Sequence, residues 1–538
     1  MKQEPKGPTQ VDMVVVGAGF AGLYMIYKAR EEGLSVACFE AGTGVGGTWF
    51  WNRYPGARVD IECMEYSYSF SEELQQEWEW TERYAAQPEI ERYANHVADR
   101  FDLRAHITFG SKVTSAIFDQ DAKRWRLTTA LGDEISAKYC VMATGLISAP
   151  LEPTFEGLEQ YRGEQYMTSR WPRETLDFHG KRVAVVGTGS SGIQVITELA
   201  KQVDELFVLQ RTPAYTIPLR NHRVERAKIN KIKHDYQALR DREFDSFGGF
   251  TLLHSELSPL PSKSALEVDA QERRREYDDR WASGGLAPYY AYTDTLLDAP
   301  ANETLAAYAR ERMRERVNDP RVAEKLCPGY PILTRRLSPE TNYLEVYNQK
   351  NVTLVDLHER PIRRFTRSAI VVGDDEIAID AVVFATGFDI MTGAMDRIDI
   401  RGRGGASLKE RWAKGLTSYL GMTTHGFPNF FWINGPQSPF FNPLLLAEYQ
   451  SDLILGLIKT MDERAAELME ARSEAEQEYV NITNEIGQMT LFAQSDNYYM
   501  GDNVPGKPRN ILFFLGGFPM YRELCDSACQ HLDGYMLS

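Results

Sequence analysis

The chain has 538 residues, of which 43% are hydrophobic and 25% are charged, a composition typical of globular proteins. This length suggests about three domains, at roughly 100–200 residues for each. The net charge of −16 comes without a long basic run, which argues against nucleic acid as the main partner. The polar first ten residues predict no signal peptide, and no apolar run reaches the ~18 residues that a membrane span needs.

Six cysteines are scattered along the chain, and none forms a C-x-x-C pair. Cys525 and Cys529 are four residues apart, but no matching pair of His or Cys residues occurs elsewhere, so we expect no metal site. Free thiols are typical of a reducing compartment, and we therefore expect a cytoplasmic protein. The other four cysteines are Cys38, Cys63, Cys140 and Cys327.

A strand, a glycine-rich turn and a helical pattern follow one another near the N-terminus. Residues 11–16 predict a buried parallel strand, and residues 35–39 a second strand that ends at Glu40. G-x-G-x-x-G spacing between them lets backbone N–H groups approach a pyrophosphate at a helix N-terminus. The glycines are Gly17, Gly19 and Gly22. Because the Glu40 carboxylate can accept from a ribose hydroxyl, this unit predicts a dinucleotide site.

The same unit recurs over residues 181–212, where the second strand ends in Arg211 and Thr212 instead of an acid. An arginine at this place favours a 2′-phosphate, so we expect NADP(H) here and a dinucleotide with a free ribose in the first unit. The predicted contacts of the second turn are Gly187, Thr188, Gly189, Ser190 and Gly192.

Two such units in one chain predict a flavoprotein with FAD in the first and NADPH in the second. Two short strands support this interpretation, because both end in the letters ATG: CVMATGL at 140–146 and AVVFATGF at 381–388. Each predicts a strand followed by a glycine turn, near a point where the chain crosses between domains.

The segment 44–70 excludes one class of flavoprotein and indicates another. Disulfide reductases need two closely spaced cysteines beside the flavin, and this segment holds only Cys63. Its spacing G-G-x-W-x-x-x-x-Y-P-G-x-x-x-D resembles a signature of the Baeyer–Villiger monooxygenases, flavoproteins that insert oxygen beside a ketone. The matching residues are Gly46, Gly47, Trp49, Tyr54, Pro55, Gly56 and Asp60.

The stretch YRGEQYMTSRWP at 161–172 resembles the second signature of that family, F-x-G-x-x-x-H-x-x-x-W-P. Tyr161, Gly163, Trp171 and Pro172 match or nearly match, but Met167 stands at the histidine position. We expect an interdomain segment here. A methionine cannot donate the hydrogen bonds of an imidazole, so the change should affect how cofactor movement is coordinated with flavin reduction, and not the oxygenation itself.

The resemblance continues over almost the whole chain, in the expected order. Its further motifs are GYPILTRR at 329–336, ATGFD at 385–389, GFPNFFWINGPQSP at 426–439, NVPGKP at 503–508 and GGFPMYR at 516–522. The chain is thus identified as similar to the type I Baeyer–Villiger monooxygenases.

The resemblance and the two nucleotide units predict an α/β fold with two dinucleotide-binding, Rossmann-like domains. Residues 1–150 and 390–538 should form the FAD domain, and residues 151–220 and 335–389 the NADP domain. The charged stretch 221–334 lacks glycine fingerprints and shows helical spacing, which predicts a helical insertion. We also expect one exposed helix over 461–480, and a monomer or a weak homo-oligomer.

In the family, NADPH reduces FAD, O2 adds at the flavin C4a position, and the resulting peroxyanion attacks a ketone. A tetrahedral adduct then gives an ester or a lactone. Fixed positive charge is the physical means of stabilising such anions. The resemblance places Arg336 at the family's active-site arginine. Asp60 would hold this arginine by a paired carboxylate.

The resemblance implies further roles around the cofactors. Arg335 should lie near the 2′-phosphate, Asp389 near the nicotinamide amide, and Tyr498 where relatives often have a tryptophan that touches the cofactor ribose. The flavin surroundings should include Gly47, Thr48, Trp49 and Tyr54.

The segment SPFFNPLLLAEYQ at 438–450 looks like the family's loop that lines the ketone pocket. Relatives tend to have small residues after the Ser-Pro pair, whereas this chain has two phenylalanines. We therefore predict a hydrophobic ketone, cyclic or aryl, although both rings could equally pack in a core. The candidate pocket residues are Ser438, Pro439, Phe440 and Phe441.

Three other functions remain open at this stage. A related flavin monooxygenase that oxidises nitrogen or sulfur would share both glycine-rich turns. An NADPH oxidase or electron-transfer flavoprotein would share both cofactors but would not need Arg336. A non-catalytic nucleotide-binding regulator would need neither Arg336 nor Asp60. The signature that ends in Asp60, together with Arg336, favours ketone oxygenation.

Overall fold

The computed structural model describes residues 9–255, 257, 258 and 260–538. Most of the N-terminal stretch that predicts no signal peptide lies outside these ranges. The described strands are β1 Thr9–Val16, β2 Val36–Phe39, β3 Ile107–Thr108, β4 Val113–Asp119, β5 Arg124–Thr129, β6 Glu134–Met142, β7 Glu164–Met167, β8 Arg182–Val186, β9 Glu205–Gln210, β10 Thr216–Pro218, β11 Ser338–Glu340, β12 Val352–Asp356, β13 Ile362–Phe365, β14 Ala369–Val372, β15 Asp375–Ala378, β16 Ala381–Phe384, β17 Asp399–Arg401, β18 Phe430–Trp432, β19 Met469–Ala471 and β20 Tyr535–Leu537.

Helices cover both sheets and form the segment between them. They are α1 Phe20–Glu31, α2 Thr48–Trp51, α3 Glu72–Glu77, α4 Gln87–Arg100, α5 Ser190–Leu199, α6 Arg226–His234, α7 Tyr236–Asp245, α8 Ala270–Ser283, α9 Ala299–Arg314, α10 Pro320–Leu326, α11 Leu408–Trp412, α12 Pro443–Glu463, α13 Ser473–Gln488 and α14 Gly517–His531. Among the described residues, no helix combines the length and the apolar character that crossing a bilayer requires.

The first nucleotide unit lies in a mixed sheet with the strand order β17-β4-β5-β6-β1-β2-β3, and β18 also pairs with β6. β1 pairs in parallel with β2 on one side and with β6 on the other. Its last four residues are buried, because a central parallel strand is covered on both faces. This explains the continuous apolar run and confirms the two strands predicted around the first turn.

The second nucleotide unit lies in a separate, all-parallel sheet with the order β12-β9-β8-β16-β7. Its edge strand β7 comes from the second family signature, and Met167 pairs with Phe384 of β16. The expectation of an interdomain segment is therefore wrong for residues 164–167. Met167 packs at the edge of an apolar core that contains Phe384 and Val186, which gives this part of the chain a place in the sheet.

Two chain segments connect the sheets, and we call them the first connector (146–151) and the second connector (387–391). They run antiparallel and pair with each other. The backbone N–H of Asp389, for example, donates to the carbonyl of Ala149 at 2.8 Å. The first connector begins just after the first ATG motif and the second begins at Gly387, the last residue of the second motif, near the crossing between domains that the sequence predicts.

The helices α6 to α10 form the segment between the two halves of the second unit, as the charged helical spacing predicts. The strands that flank this helical segment, β10 before it and β11 after it, form a short parallel pair. Asp319 accepts from the backbone N–H of Arg321 at 2.8 Å and caps α10, with Pro320 in its first turn. The Asp-Pro pair therefore begins a helix here, in agreement with the preference for proline at that position.

The single exposed helix predicted over 461–480 is wrong. α12 ends at Glu463, Ala465 has a φ of 52°, and β19 follows before α13 begins at Ser473. β19 pairs with β20 at the C-terminus and is buried. The charged composition of this stretch gives no sign that the helix ends at Glu463. The pairing of β19 with β20 explains the interruption.

Candidate active site

The first glycine-rich turn connects β1 to α1 and rests directly on the first ATG motif. Gly17 has a φ of 107°, and a Cβ there would lie 2.5 Å from the carbonyl oxygen of Ala143. A Cβ at Gly22 would lie 1.9 Å from the carbonyl oxygen of Gly17. Only glycine fits both positions. The turn therefore places the N-terminus of α1, which starts after Gly19, where a pyrophosphate can bind to free N–H groups.

The second turn, between β8 and α5, repeats this geometry on the second ATG motif. Gly187 has a φ of 108°, and a Cβ there would lie 2.4 Å from the carbonyl oxygen of Ala385. No atom lies within 4 Å of a Cβ built at Gly189, so the start of α5 is open to a ligand. The hydroxyl of Thr188 donates to the carbonyl of Thr212 at 3.0 Å, and the hydroxyl of Ser190 lies 3.2 Å from that of Ser338.

The residues that follow β2 and β9 carry opposite charges and differ in burial. Glu40 is buried, and its two carboxylate oxygens accept from the backbone N–H groups of Ala18 at 2.8 Å and Gly42 at 2.6 Å. Burial raises the pKa of Glu40, although these two hydrogen bonds lower it in part. Arg211 is exposed at the end of β9, and it forms no ion pair with any residue that the structure describes. Its charge is thus free for a phosphate.

Arg336 and Asp60 form a two-pronged ion pair between residues 276 positions apart. The guanidinium Nη2 donates to Oδ1 of Asp60 at 2.6 Å, and Nε donates to Oδ2. The side chains keep 27% and 23% of their exposure, so solvent partly reaches the pair. Burial opposes the charge of Arg336, but the Asp60 carboxylate outweighs this effect and raises the pKa of Arg336 well above its ordinary value. The arginine is therefore a fixed positive charge.

The first signature also reaches the second nucleotide unit. The hydroxyl of Tyr54 donates to Oε1 of Gln194 at 2.7 Å and lies 3.1 Å from the hydroxyl of Ser191, both on α5. Trp49 lies on the other side, where its Nε1 donates to the hydroxyl of Tyr66 at 3.0 Å. Thr48 begins α2. A Cβ at Gly47 would lie 2.9 Å from the Cα of Gly19, which brings this signature against the first glycine-rich turn.

The structure places the other cofactor candidates around the Arg336 segment and the connectors. Arg335 donates through Nη2 to the carbonyl of Asp496 at 2.7 Å, and its guanidinium lies 4.8 Å from the ring of Tyr330. Asp389 forms an ion pair with Lys507. Both candidates thus already have protein partners, which a bound cofactor would share or replace.

The four candidates of the substrate loop lie in different surroundings. Phe440 comes nearest the reactive pair, with its ring 5.8 Å from the Arg336 guanidinium carbon. Phe441 instead stacks on Phe518 at 4.1 Å. Ser438 is buried and donates to the carbonyl of Gly421 at 3.0 Å, and Pro439 is buried beside it. Of the four, only Phe440 is brought to Arg336.

Comparison with known proteins assigns the family. The family model for flavin-binding monooxygenase-like proteins matches residues 10–222. A Baeyer–Villiger monooxygenase of Pseudooceanicola batsensis is 39% identical over 97% of this chain and 95% of its own length. The chain belongs to the Baeyer–Villiger monooxygenases. The methyl acetate-forming acetone monooxygenase of a Gordonia species is 38% identical, over 98% of this chain and 99% of its own.

The fold of this Baeyer–Villiger monooxygenase agrees with that of its solved relatives. An oxidised steroid monooxygenase bound to NADP superposes with a TM-score of 0.93 at 44% identity, over 98% of this chain and 99% of the other. The predicted family, fold class and enzyme class are therefore confirmed. The roles of individual residues stay predictions.

Three tyrosines close to Arg336 in this Baeyer–Villiger monooxygenase complete the candidate site. The hydroxyl of Tyr498 accepts from the backbone N–H of Arg336 at 3.0 Å, and it lies 3.3 Å from that of Tyr499. The hydroxyl of Tyr289 accepts from the N–H of Leu337 at 3.4 Å. The sequence indicated only Tyr498. Tyr499 stands beside it in the same motif, but Tyr289 belongs to the helical insertion, where no motif marks it.

Proposed function

We propose that this enzyme uses NADPH and O2 to convert ketones to esters or lactones. The observation that carries the proposal is the paired fork between Arg336 and Asp60. It joins the first signature to the segment that follows the helical insertion, and it holds a permanent positive charge that solvent partly reaches. Negative charge that develops on a substrate oxygen is stabilised by such a preorganised cation.

FAD and NADPH are the cofactors, and the two glycine-rich turns fit them. In the first unit, the N-terminus of α1 suits the pyrophosphate. Glu40 suits the ribose hydroxyls, because each of its carboxylate oxygens has a further lone pair that can accept a hydrogen bond. In the second, Arg211 suits the 2′-phosphate. When bound, FAD supplies the electron transfer and the activation of O2. The protein's own contribution is to bind, to orient and to supply the charge of Arg336.

Asp60 acts in this proposal as the residue that orients Arg336. A carboxylate alone would repel negative charge, but pairing through two hydrogen bonds fixes the guanidinium plane and leaves the outer N–H groups for a ligand. The ketone is proposed to be hydrophobic, cyclic or aryl. Phe440 supports this part of the proposal, because its ring forms an apolar surface next to Arg336.

The experiment mixes the purified, FAD-loaded protein with NADPH, O2 and a panel of ketones and looks for products that are one oxygen heavier. Hydrophobic cyclic and aryl ketones should give esters or lactones. Hydrogen peroxide alone across the panel would indicate an oxidase. Oxygenation of amines or thioethers without any ester would favour the alternative nitrogen- or sulfur-oxidising activity.

The site is tested by Arg336→Ala, which should still accept electrons from NADPH but form no ester. Arg335→Ala is the matched control, because it removes the neighbouring cation and leaves the fork with Asp60 intact. The Arg335→Ala control should have a higher KM for NADPH and should still form the ester or lactone. Full ester formation by Arg336→Ala would refute the role of this arginine.

We also propose the finer features that the sequence suggests: a cytoplasmic location, a monomer or weak homo-oligomer, and the domain limits 1–150 with 390–538, 151–220 with 335–389, and 221–334. The unpaired state of all six cysteines supports a reducing compartment. Light scattering of the holoenzyme across a range of concentrations tests the oligomeric state. Limited proteolysis tests the domain limits, because cleavage is expected in the exposed loops near them.

A further inference from the structure

Tyr289 brings the helical insertion into contact with the segment that carries Arg336. It lies in a short 3-10 helix, Ala287–Tyr290. Its hydroxyl oxygen accepts from the backbone N–H of Leu337, the residue after Arg336. Burial raises the pKa of Tyr289, and the charge of Arg336 acts in the opposite direction. The phenol is therefore neutral at physiological pH and keeps its proton.

Within the part of the chain that the structure describes, the proton of this phenol has no acceptor. Among the hydrogen bonds of the described residues, the Tyr289 hydroxyl takes part only as the acceptor for Leu337. The Tyr498 hydroxyl, by contrast, has Tyr499 as a partner for its proton. Buried or half-buried phenols normally find an acceptor for their O–H. An acceptor that lies beside Arg336 and comes from outside the chain would satisfy Tyr289.

We propose that Tyr289 is a substrate-positioning residue that donates a hydrogen bond to the carbonyl oxygen of the ketone. The inference rests on the proposed ketone oxygenation. Arg336 supplies charge to the same oxygen, and the phenol supplies a directed neutral donor from a different part of the chain. Two donors that converge on one oxygen fix its direction, whereas a single guanidinium leaves the ketone free to rotate about one contact.

Two other phenols, Tyr499 and Tyr66, lie in the same region. The Tyr499 hydroxyl already accepts from that of Tyr498, and its ring packs edge-on against Phe440 at 5.4 Å and Phe513 at 5.3 Å. The Tyr66 hydroxyl accepts from Trp49 in the first signature. Both belong to surroundings that the flavin domain builds. Tyr289 reaches the segment that carries Arg336 from the helical insertion. Of these three tyrosines it is therefore the one that would make ketone binding depend on the helical insertion.

The neighbouring residue provides a matched control. Tyr290 lies in the same 3-10 helix, but its hydroxyl donates to the carbonyl of Phe250 at 3.3 Å, and its ring packs on that of Phe250 at 5.0 Å. Tyr290→Phe therefore removes an equivalent hydroxyl within the insertion, away from Arg336. Tyr289→Phe keeps the ring and removes only the proposed donor.

The experiment measures binding without turnover, so it does not depend on the chemistry. Equilibrium dialysis of the anaerobic, FAD-loaded enzyme is carried out with NADP+ and a cyclic ketone. A second dialysis uses the hydrocarbon in which an exocyclic =CH2 group replaces the carbonyl oxygen of that ketone. The hydrocarbon has nearly the shape of the ketone but no oxygen acceptor. Tyr289→Phe should raise the Kd of the ketone about 3- to 10-fold, as expected for one hydrogen bond. The Kd of the hydrocarbon should stay the same.

Two results would overturn the inference. One is an unchanged ketone Kd in Tyr289→Phe, with or without a weaker NADP+ affinity, and the other is an equal loss of ketone and hydrocarbon binding. Tyr290→Phe should leave both Kd values at those of the unmodified enzyme. The two proposals can fail separately. If the unmodified enzyme forms no ester, the proposed function is refuted, whereas the dialysis result tests only the role of Tyr289.

Discussion

The hydroxyl of Tyr54 donates to Oε1 of Gln194 at 2.7 Å, and this contact joins the first family signature to α5 of the second nucleotide unit. Gln194 also donates through Nε2 to the carbonyl of Arg58 at 3.1 Å. A Cβ at Gly56 would lie 2.6 Å from the Gln194 carbonyl oxygen, so the tyrosine-proline-glycine turn rests directly on the helix. The signature therefore has a docking role in addition to its place beside the first glycine-rich turn.

Tyr54→Phe should slow the reduction of flavin by NADPH. Loss of one hydrogen bond of about 0.5–1.5 kcal/mol weakens the docking by roughly 2- to 10-fold, and hydride transfer depends on how the two units are held. Anaerobic stopped-flow absorbance measures the rate, and the bound flavin content should not change. Tyr343→Phe is the control, since its hydroxyl pairs with Tyr347 inside the buried core. An unaltered reduction rate in Tyr54→Phe would contradict the docking role.

Arg211→Ala should reduce the preference for NADPH over NADH. The exposed guanidinium has no ion-pair partner in the described chain, so its removal should act on the cofactor phosphate alone. A charge-assisted hydrogen bond of about 1.5–3 kcal/mol predicts a KM for NADPH that is roughly 10- to 100-fold higher, with little change for NADH. Initial rates with both cofactors measure this. Lys201→Ala, which breaks a surface pair with Glu198, should change neither value.

Met167→His should change the rate of flavin reduction or the share of NADPH lost as hydrogen peroxide, but not the identity of the product. The half-buried end of β7 would then carry a donor and acceptor in place of a thioether. Product analysis and peroxide assay measure the two effects. Met167→Leu keeps the apolar packing without any donor and should behave like the unmodified enzyme. The interpretation would be wrong if only the histidine variant oxygenated ketones.

Stability should fall as the pH rises from about 5 to 8, because of two buried carboxyls. Burial raises the pKa of Glu448 to about 7 and that of Glu243 to about 8, from 4.5, although Arg240 opposes both shifts. The folded state thus holds protons that the unfolded chain releases. The resulting stabilisation is fully present below about pH 4.5 and is lost as the pH rises through these values.

Glu448→Gln should flatten this dependence, because the amide does not titrate. Thermal unfolding of the holoenzyme between pH 5 and 8.5 measures the effect as a smaller decrease in Tm. Glu463→Gln, at the exposed end of the same helix, should keep the full dependence. An equal slope in Glu448→Gln and the unmodified enzyme would show that the carboxyl does not contribute.

The parts that the sequence predicts well are those where one short segment determines the outcome. The turn at Gly17 needs a positive φ and a close approach to Ala143, so its glycines and flanking strands are visible in the sequence. The role of Tyr289 depends on a contact with Leu337, 48 positions away, and no local pattern encodes it. The break near Ala465 similarly depends on β20 at the far end of the chain. Phe440 and Phe441 are adjacent and chemically equal, and only tertiary packing separates their surroundings.

The paired connectors limit how the two nucleotide units can move. A single connecting segment would allow one unit to twist and tilt relative to the other. Two connectors joined by hydrogen bonds resist twisting and leave bending of one unit against the other about one axis. Each glycine-rich turn rests on an ATG motif at the start of a connector, so both turns lie close to that axis. In a rotation of this kind the points nearest the axis travel least. The pyrophosphates would then stay almost in place while the outer parts of the molecule, including the helical insertion, sweep through the larger arc.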